Sequence, residues 1–516
     1  MRFASLQPPL KLASVVSVLL TVVPLFGPSL ASAQPVPAFL DRVGGSSLTD
    51  SNLGQSAIAV QKTCGQLGAL NSMDPLTGSS LELFRRCNEL VATANDLNGA
   101  PTGGLTRTLA YADDDELLAA FQQVNGEEAQ ASARMSQNAS YEQFSNIGAR
   151  LSALRGVSSA SISSVAVNDG AFLYGSGGGA AADDASMPFG PWGWFIRGTY
   201  ATGDRDASDL TSFAAENGFD FDQYGVTLGI DHMSGSIVWG IAVGYSSYKV
   251  EMQDVTTPSG AQTQLVEGGD IEGDSTSGSI YFDHMGQNNV YFSALASYGG
   301  QSFDMARHFI YFSDNTTDPT VTDQTRLLTA NPDGDSASGS LTLGRAVFRG
   351  SWVIDPRIGL TYDRIMIDGF SEVDSGNGGT GPSAMQLSFD EQTIKSLRTN
   401  VGIQLSKNIN TGFGSVRPTF SADWYHEFED EARTIKTKYA MEDELAGQGS
   451  FVTGFDGCVS CFSLISEAPD TDFFSVGLGI ATATRGGFQS FLMLEGLLGY
   501  KNLDAIALTI GMRGQF

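Results

Sequence analysis

Residue types able to carry a reaction are few in this chain and poorly placed for one. Its four histidines are His232, His284, His308 and His426. A Ser-His-Asp site needs an imidazole as general base, and residues 34–139 contain none. Gly334-Asp335-Ser336 echoes an esterase nucleophile motif, but it falls where a polar loop meets an alternating segment, with no α/β pattern to present the hydroxyl. His232 and His284 recur in Asp231-His232-Met233 and Asp283-His284-Met285, each beside a tight turn; they read as equivalent ends of two strands rather than as a metal pair. Asp113-Asp114-Asp115-Glu116 lacks the spaced oxygen ligands and glycine of a calcium loop. It reads instead as the N-cap and acidic first turn of a helix near Leu117. Asp333-Gly334-Asp335 and Gly268-Gly269-Asp270 are polar loop sequence, with acids suited to divalent cations at a lipopolysaccharide surface. No enzymatic activity, catalytic residue, cofactor or resident metal is expected.

The remaining chemistry is that of cysteine. Four cysteines, an even count, fall into two separated pairs, Cys64 with Cys87 and Cys458 with Cys461. Paired cysteines suit an oxidising compartment. Cys458-Val459-Ser460-Cys461 has no second cysteine pair or nearby histidine to complete a metal site, so a loop disulfide is expected there.

The chain begins as an exported one. Arg2 and Lys11 precede an apolar stretch over residues 12–26, and Ala31-Ser32-Ala33 supplies small residues before Gln34. This predicts a signal peptide over residues 1–33. Pro24 and Pro28 interrupt the stretch and leave it too short for a membrane anchor. The net charge of −28, from 29 basic and 57 acidic residues, offers no basic surface for nucleic acid. Beyond the N-terminus no apolar run reaches the length of a transmembrane helix.

From Trp192 onward the period of the sequence becomes two. Ile237, Trp239, Ile241, Val243 and Tyr245 alternate with Gly240, Ala242, Gly244 and Ser246. Phe420, Ala422 and Trp424 alternate with Thr419, Ser421 and Asp423, and Leu397, Val401, Ile403 and Leu405 with Arg398, Asn400 and Gln404. Apolar residues on one face and small or polar ones on the other are the pattern of a membrane barrel with lipid outside and a polar lumen inside. About twelve such segments fit into residues 191–516, near 193–203, 218–232, 236–252, 268–285, 288–304, 334–348, 351–369, 385–407, 414–430, 470–484, 487–501 and 504–516. Tight turns at Ser234-Gly235, Gly286-Gln287, Arg349-Gly350, Thr411-Gly412 and Arg485-Gly486 alternate with long polar loops, as periplasmic turns alternate with external loops in outer-membrane barrels.

The fold class expected is therefore an all-β transmembrane barrel of antiparallel strands, preceded by a small helical region. Arg197, Arg357, Arg398, Arg417 and Arg513 fall on the inner parity, as do Asp231, Asp355, Asp423 and Glu495; opposite charges on one lumen wall are expected to pair. Trp192, Trp194, Tyr245, Tyr248, Trp352, Tyr362, Trp424, Tyr425 and Tyr500 read as interfacial girdles. In the last strand Ile506, Leu508, Ile510, Met512 and Phe516 share a face.

Upstream, residues 56–70 and 81–97 read as two helices, each holding one cysteine, so a Cys64–Cys87 bridge would staple a helical hairpin whose core is small. Residues 140–157 form a further helix, with Tyr141, Phe144, Ile147, Leu151 and Leu154 at helical spacing and Arg150 and Arg155 on other faces. At about 1.5 Å per residue it can cross an apolar band of about 25 Å. Gly156 and the run Gly175 to Gly179 provide a flexible link onward.

The order of signal peptide, N-terminal segment, helix, barrel and terminal Ile510-Gly511-Met512-Arg513-Gly514-Gln515-Phe516 resembles the autotransporter family of type V secretion, over roughly residues 140–516. The resemblance implies a short helical passenger over residues 34–139, a pore helix and linker over 140–190, and a barrel over 191–516. It further implies that the last strand, with Ile510, Met512 and Phe516, is read by the barrel-assembly machinery, and that the helix sits in the pore. By their parity, inner-wall carboxylates such as Asp355, Asp423 and Glu495 are placed to neutralise Arg150 and Arg155 of the helix there. Its apolar residues would lie against inward-facing Phe195, Tyr425 or Leu497. Family members that cleave themselves cut between adjacent asparagines, and no such pair occurs between residues 130 and 160. The expected setting is the outer membrane of a Gram-negative bacterium, with lipid and lipopolysaccharide as partners, a monomer, and the passenger at the surface or in the periplasm. The alternative is a self-plugged porin-like or adhesin barrel whose helices stay in the periplasm.

Overall fold

The computed structural model describes residues 35–100, 113–126, 128–155, 191–207, 217–257, 264–266, 268–311, 324–376, 384–484 and 488–515. The leader 1–33, the linker 156–190, the Arg485-Gly486 turn and Phe516 lie outside the described residues.

Strands β1 (Trp192–Arg205), β2 (Phe219–Ser234), β3 (Ile237–Met252), β4 (Asp270–Met285), β5 (Val290–Tyr311) and β6 (Asp333–Arg345) form one half of a barrel. The other half is β7 (Trp352–Ile367), β8 (Gln392–Lys407), β9 (Gly414–Glu427), β10 (Asp472–Thr484), β11 (Gln489–Leu498) and β12 (Leu503–Gln515). Each pairs antiparallel with the next. The ring closes where Gly193 of β1 meets Gln515 of β12 and Arg205 meets Leu503. Closure of these twelve strands leaves no unpaired edge, the condition for placing strands in lipid.

Side chains sort by parity. Ile241, Val243, Ile280, Leu478 and Ile510 point out and are more than half exposed, whereas their neighbours in sequence face the lumen. Of the aromatics expected in the girdle, Tyr500 packs on inward-facing Phe473 at the mouth of a lumen cavity, and two more obey the parity of their strands. Tyr248 is buried against Phe303 inside the barrel, and Tyr425 stacks on Phe473 and bonds to Tyr141. Each lies an odd number of residues from an outward neighbour, Tyr245 or Trp424, and so projects inward.

The segment expected as one strand over 385–407 divides. Leu387–Phe389 leaves the barrel and joins Phe370–Ser371, Thr434–Tyr439 and Phe462–Ile465 in a separate sheet built from the long loops. Cys458 and Cys461 are bonded to each other in the loop that leads into this sheet.

Helices α1 (Pro35–Asp50), α2 (Asn52–Met73), α3 (Gly78–Leu97) and α4 (Asp114–Gln122) form a bundle. Ser51 caps α2 by accepting from the Gly54 amide, and Asp113 with Glu116 makes a capping box on α4. A Cys64–Cys87 disulfide joins α2 to α3. The bundle does not stand alone. Its Phe39, Val60, Leu67 and Phe121 share one core with Leu387, Phe389, Tyr439 and Leu464 of the loop sheet. Asn52 extends that sheet, donating to the Ile465 carbonyl at 2.9 Å and accepting from the Ile465 amide at 2.7 Å.

Helix α5 (Glu128–Arg155) has 28 residues and begins well before residue 140. The early turns carry small residues, Ala131, Ser132 and Ser136, and no apolar stripe marks them as helical. No helix among the described residues is long and apolar enough to cross a membrane on its own.

Candidate functional site

Helix α5 runs through the barrel, and the wall of β1 to β6 is shaped to receive it. At Gly193, Gly225, Gly244 and Gly269 an added Cβ would collide with Arg150, Glu142, Gln143 and Glu128 respectively. Glycine is used here because the helix side chains occupy the space a wall side chain would take.

Contacts along α5 fall in three layers. At the loop end Ala131 and Met135 are ringed by inward-facing Phe219, Phe221, Val250, Ile271, Phe303 and Ile365. In the middle the contacts are polar: Gln143 donates to Ser279 Oγ at 3.1 Å, Thr227 donates to Gln143 at 2.8 Å, Asn146 donates to Thr227 at 3.0 Å and Gln223 donates to Glu142 at 2.8 Å. At the turn end Ile147, Leu151 and Leu154 pack on Phe195, Met233, Val238, Tyr281 and Tyr291. Phe144 instead faces a cavity.

The charges of the helix are answered at the turn end. Arg150 makes a two-pronged pair with Asp231, 2.8 Å for each bond, and both side chains are under 5% exposed. Arg155 pairs with Asp283, donates to Ser293 Oγ at 2.9 Å and lies over the Tyr291 ring. These partners differ from Asp355, Asp423 and Glu495. The reason is the seat: α5 packs most closely on β4, which carries Asp283, with Asp231 on nearby β2, while Asp355 on β7 is held by the Tyr291 hydroxyl under Arg155. Asp423 is engaged by Arg357 and by Asn400 at 3.0 Å, and Asp355 accepts from Tyr291 at 2.9 Å. The repeated Asp-His-Met of β2 and β4 was the available signal for the helix anchors. Its carboxylates point inward and its histidines outward: His232 packs on Trp192 and Trp239, and His284 lies 3.4 Å from Ser236 Oγ.

The other charged positions line the lumen. Arg398 pairs with Asp363 at 3.1 Å and lies over Tyr141, Arg417 donates to Asn408 at 2.8 Å, and Arg513 donates to Gln489. Arg197 stacks over Phe491, 4.3 Å from the ring centroid. Ile510 and Met512 face outward on β12. Leu497 and Tyr141 line the same cavity near the loop end. Ser336 points into the lumen and donates to the Gly299 carbonyl at 3.5 Å. Among the described residues no cluster of acids, histidines and cysteines could hold a metal ion.

The loop end is latched by Arg307 on β5. It makes bonds of 2.8 and 2.5 Å to the Glu372 carboxylate, 2.6 Å to the carbonyl of Gln123 at the end of α4, and 3.0 Å to that of Met385. One buried side chain thus ties strand, loop and helical bundle. Sequence reading did not single it out, because its partners come from three remote segments. Arg307→Ala leaves Glu372 buried without its cation, a loss of about 3–5 kcal/mol. Trypsin should then cut the bundle at Lys62 and Arg85 faster than in the parent while the barrel stays intact.

A closed ring of lipid-facing strands, tight turns at one end, long loops at the other and a helix threaded through the lumen define an outer-membrane barrel with its own N-terminal region passed through it. The family model that matches the chain is the autotransporter beta-domain, over residues 194–492. The chain belongs to this family, and it resides in the outer membrane of a Gram-negative bacterium. Similar solved structures include the translocator domain of the autotransporter NalP from Neisseria meningitidis, at 14% identity, 65% of this chain, 90% of that one and a TM-score of 0.43. The beta domain of the Bordetella autotransporter BrkA is 16% identical over 63% of this chain and 100% of its own, with a TM-score of 0.38. The transport unit of AIDA-I from Escherichia coli is 13% identical over 66% and 98%, with a TM-score of 0.36. No curated protein matches the chain.

Proposed function

We propose that this barrel carries its own N-terminal helical bundle across the outer membrane and retains it outside as a fixed cap, with α5 as the tether left in the pore. The observation that carries this reading is the direction of α5. Its first residue lies at the end of the barrel with long loops, and its last turn at the end with tight turns, the periplasmic side of an outer-membrane barrel. The bundle is then external, and its shared core with the loop sheet supports retention rather than release. In this reading residues 1–33 are a cleaved leader, the passenger runs from 34 to the start of α5, and the pore helix with its linker precedes the barrel. The role is secretion and display, without catalysis, by a monomer set among lipid and lipopolysaccharide.

A membrane-impermeant amine reagent applied to intact cells tests the reading at Lys62, an exposed residue of α2. Labelling of Lys62 without permeabilisation is the expected result. Labelling only after the outer membrane is opened would place the bundle in the periplasm and end the proposal.

The last strand would also be the segment recognised by the barrel-assembly machinery, through Ile510, Met512 and the terminal Phe516. Deleting Phe516 is expected to lower the heat-modifiable barrel in outer membranes severalfold. Undiminished assembly would assign recognition elsewhere.

A further inference from the structure

Helix α5 does not fill the lumen. It packs on β1 to β7 and leaves two cavities between itself and the β8 to β12 side of the barrel, each reaching round to strands of the packed side. The outer, about 220 Å³, reaches the rim at Asp470 and Tyr500. The inner, about 260 Å³, lies toward the periplasmic end. Tyr141 of the helix and Tyr425 of the wall border both cavities, and their hydroxyls are bonded at 3.0 Å. This bridge is the partition between them.

The inner cavity is rich in guanidinium groups. Arg155 and Arg357 are taken by Asp283 and Asp423. Arg417 and Arg513, which are themselves bonded to Asn408 and Gln489, and Arg197 line the same space, where Glu495 is the other carboxylate. Arg197 is 5% exposed, and its Nε has no hydrogen-bond partner. On the β1–β12 seam Arg513 pairs with Phe195 and Arg197 with Gly511, so the two arginines are diagonal neighbours on the inner face. Like charges this close on a wall shielded from bulk water repel; Glu495 and Glu142 near Arg197 offset part of this without bonding to its Nε, and an anion between the arginines relieves the rest while supplying the acceptor that Nε lacks. Guanidinium forks match the geometry of carboxylate and phosphate oxygens.

We infer that the periplasmic half of the lumen is a binding chamber for a small oxoanion, a free carboxylate or phosphate, centred on Arg197, and that the Tyr141–Tyr425 bridge closes it from the outside. The inference does not depend on where the helical bundle resides.

The full chain is reconstituted in a planar bilayer under a potassium chloride gradient, with each variant first shown to give a heat-modifiable barrel. Tyr425→Ala is expected to raise conductance severalfold over the parent, with a reversal potential of the sign for chloride. Inorganic phosphate at constant ionic strength should reduce that current, and adding Arg197→Met should remove both the anion preference and the phosphate block. Tyr141→Phe keeps the ring and removes one hydroxyl; it gives a smaller rise of the same selectivity and serves if Tyr425→Ala does not fold. Absence of any rise in conductance overturns the partition. A cation-selective current, or phosphate block that survives Arg197→Met, overturns the anion chamber. In the unaltered chain, protection of the heat-modifiable form by phosphate should be present with Arg197 and absent in Arg197→Met; equal protection of both would also refute the site.

Discussion

Replacing Arg150 with methionine is expected to destabilise the assembled protein by about 3–5 kcal/mol, the cost of leaving a buried charge without its partner. The pair it forms with Asp231 is enclosed by Phe195 and Tyr281, and among the described residues no other cation is in bonding contact with that carboxylate. Asp231→Asn should be similarly harmful, since it strands the guanidinium. The informative variant is the double one. Arg150→Met with Asp231→Met removes both charges and should recover much of the loss, because a buried ion pair exchanged for apolar groups is often close to neutral. The midpoint of the heat-modifiability transition reads all three. A double variant as unstable as the sum of the singles would mean zero coupling between the two residues, so that the cost of each single change does not come from stranding the other's charge.

Removing residues 34–155 is the larger intervention. It takes away the bundle and α5 together, and leaves bare the wall where the helix lay, a polar band of small residues between two apolar layers. Such a barrel has nothing to refill the space, so the variant should conduct far better than the parent in a planar bilayer. Equal conductance would show that α5 is not what blocks the pore. The comparison also separates two kinds of opening, since a pore emptied of α5 has a wide bore, whereas Tyr425→Ala opens only the passage beside it.

The sequence made the barrel readable because lipid imposes a strict alternation. Each of the twelve strands overlaps an expected segment, and most ends lie within a few residues, since a turn such as Ser234-Gly235 must interrupt the alternation. Where a second rule was applied on top of parity, it misled. Tyr248 and Tyr425 sit near strand ends, as girdle residues do, but parity alone would have put both inside. The start of α5 was invisible for a different reason: there the barrel wall supplies the large apolar side chains and the helix only small ones, so Ala131, Ser132 and Ser136 left no periodic signal. The loop sheet and Arg307 depend on contacts between segments far apart in sequence, which no local pattern records. The inward carboxylates were partly legible. Asp231 carried the right parity, yet its match to Arg150 required knowing against which wall the helix lies.

The Cys64–Cys87 bond sets a constraint on timing. The two cysteines are 23 residues apart in sequence and lie on adjacent antiparallel helices. A chain that crosses the barrel before they meet passes as a single thread. One that meets oxidant first must pass as a closed loop, two segments abreast. If the bundle crosses as proposed, export and oxidation compete, and faster oxidation in the periplasm would act as a brake even though it makes the very bond the finished cap contains.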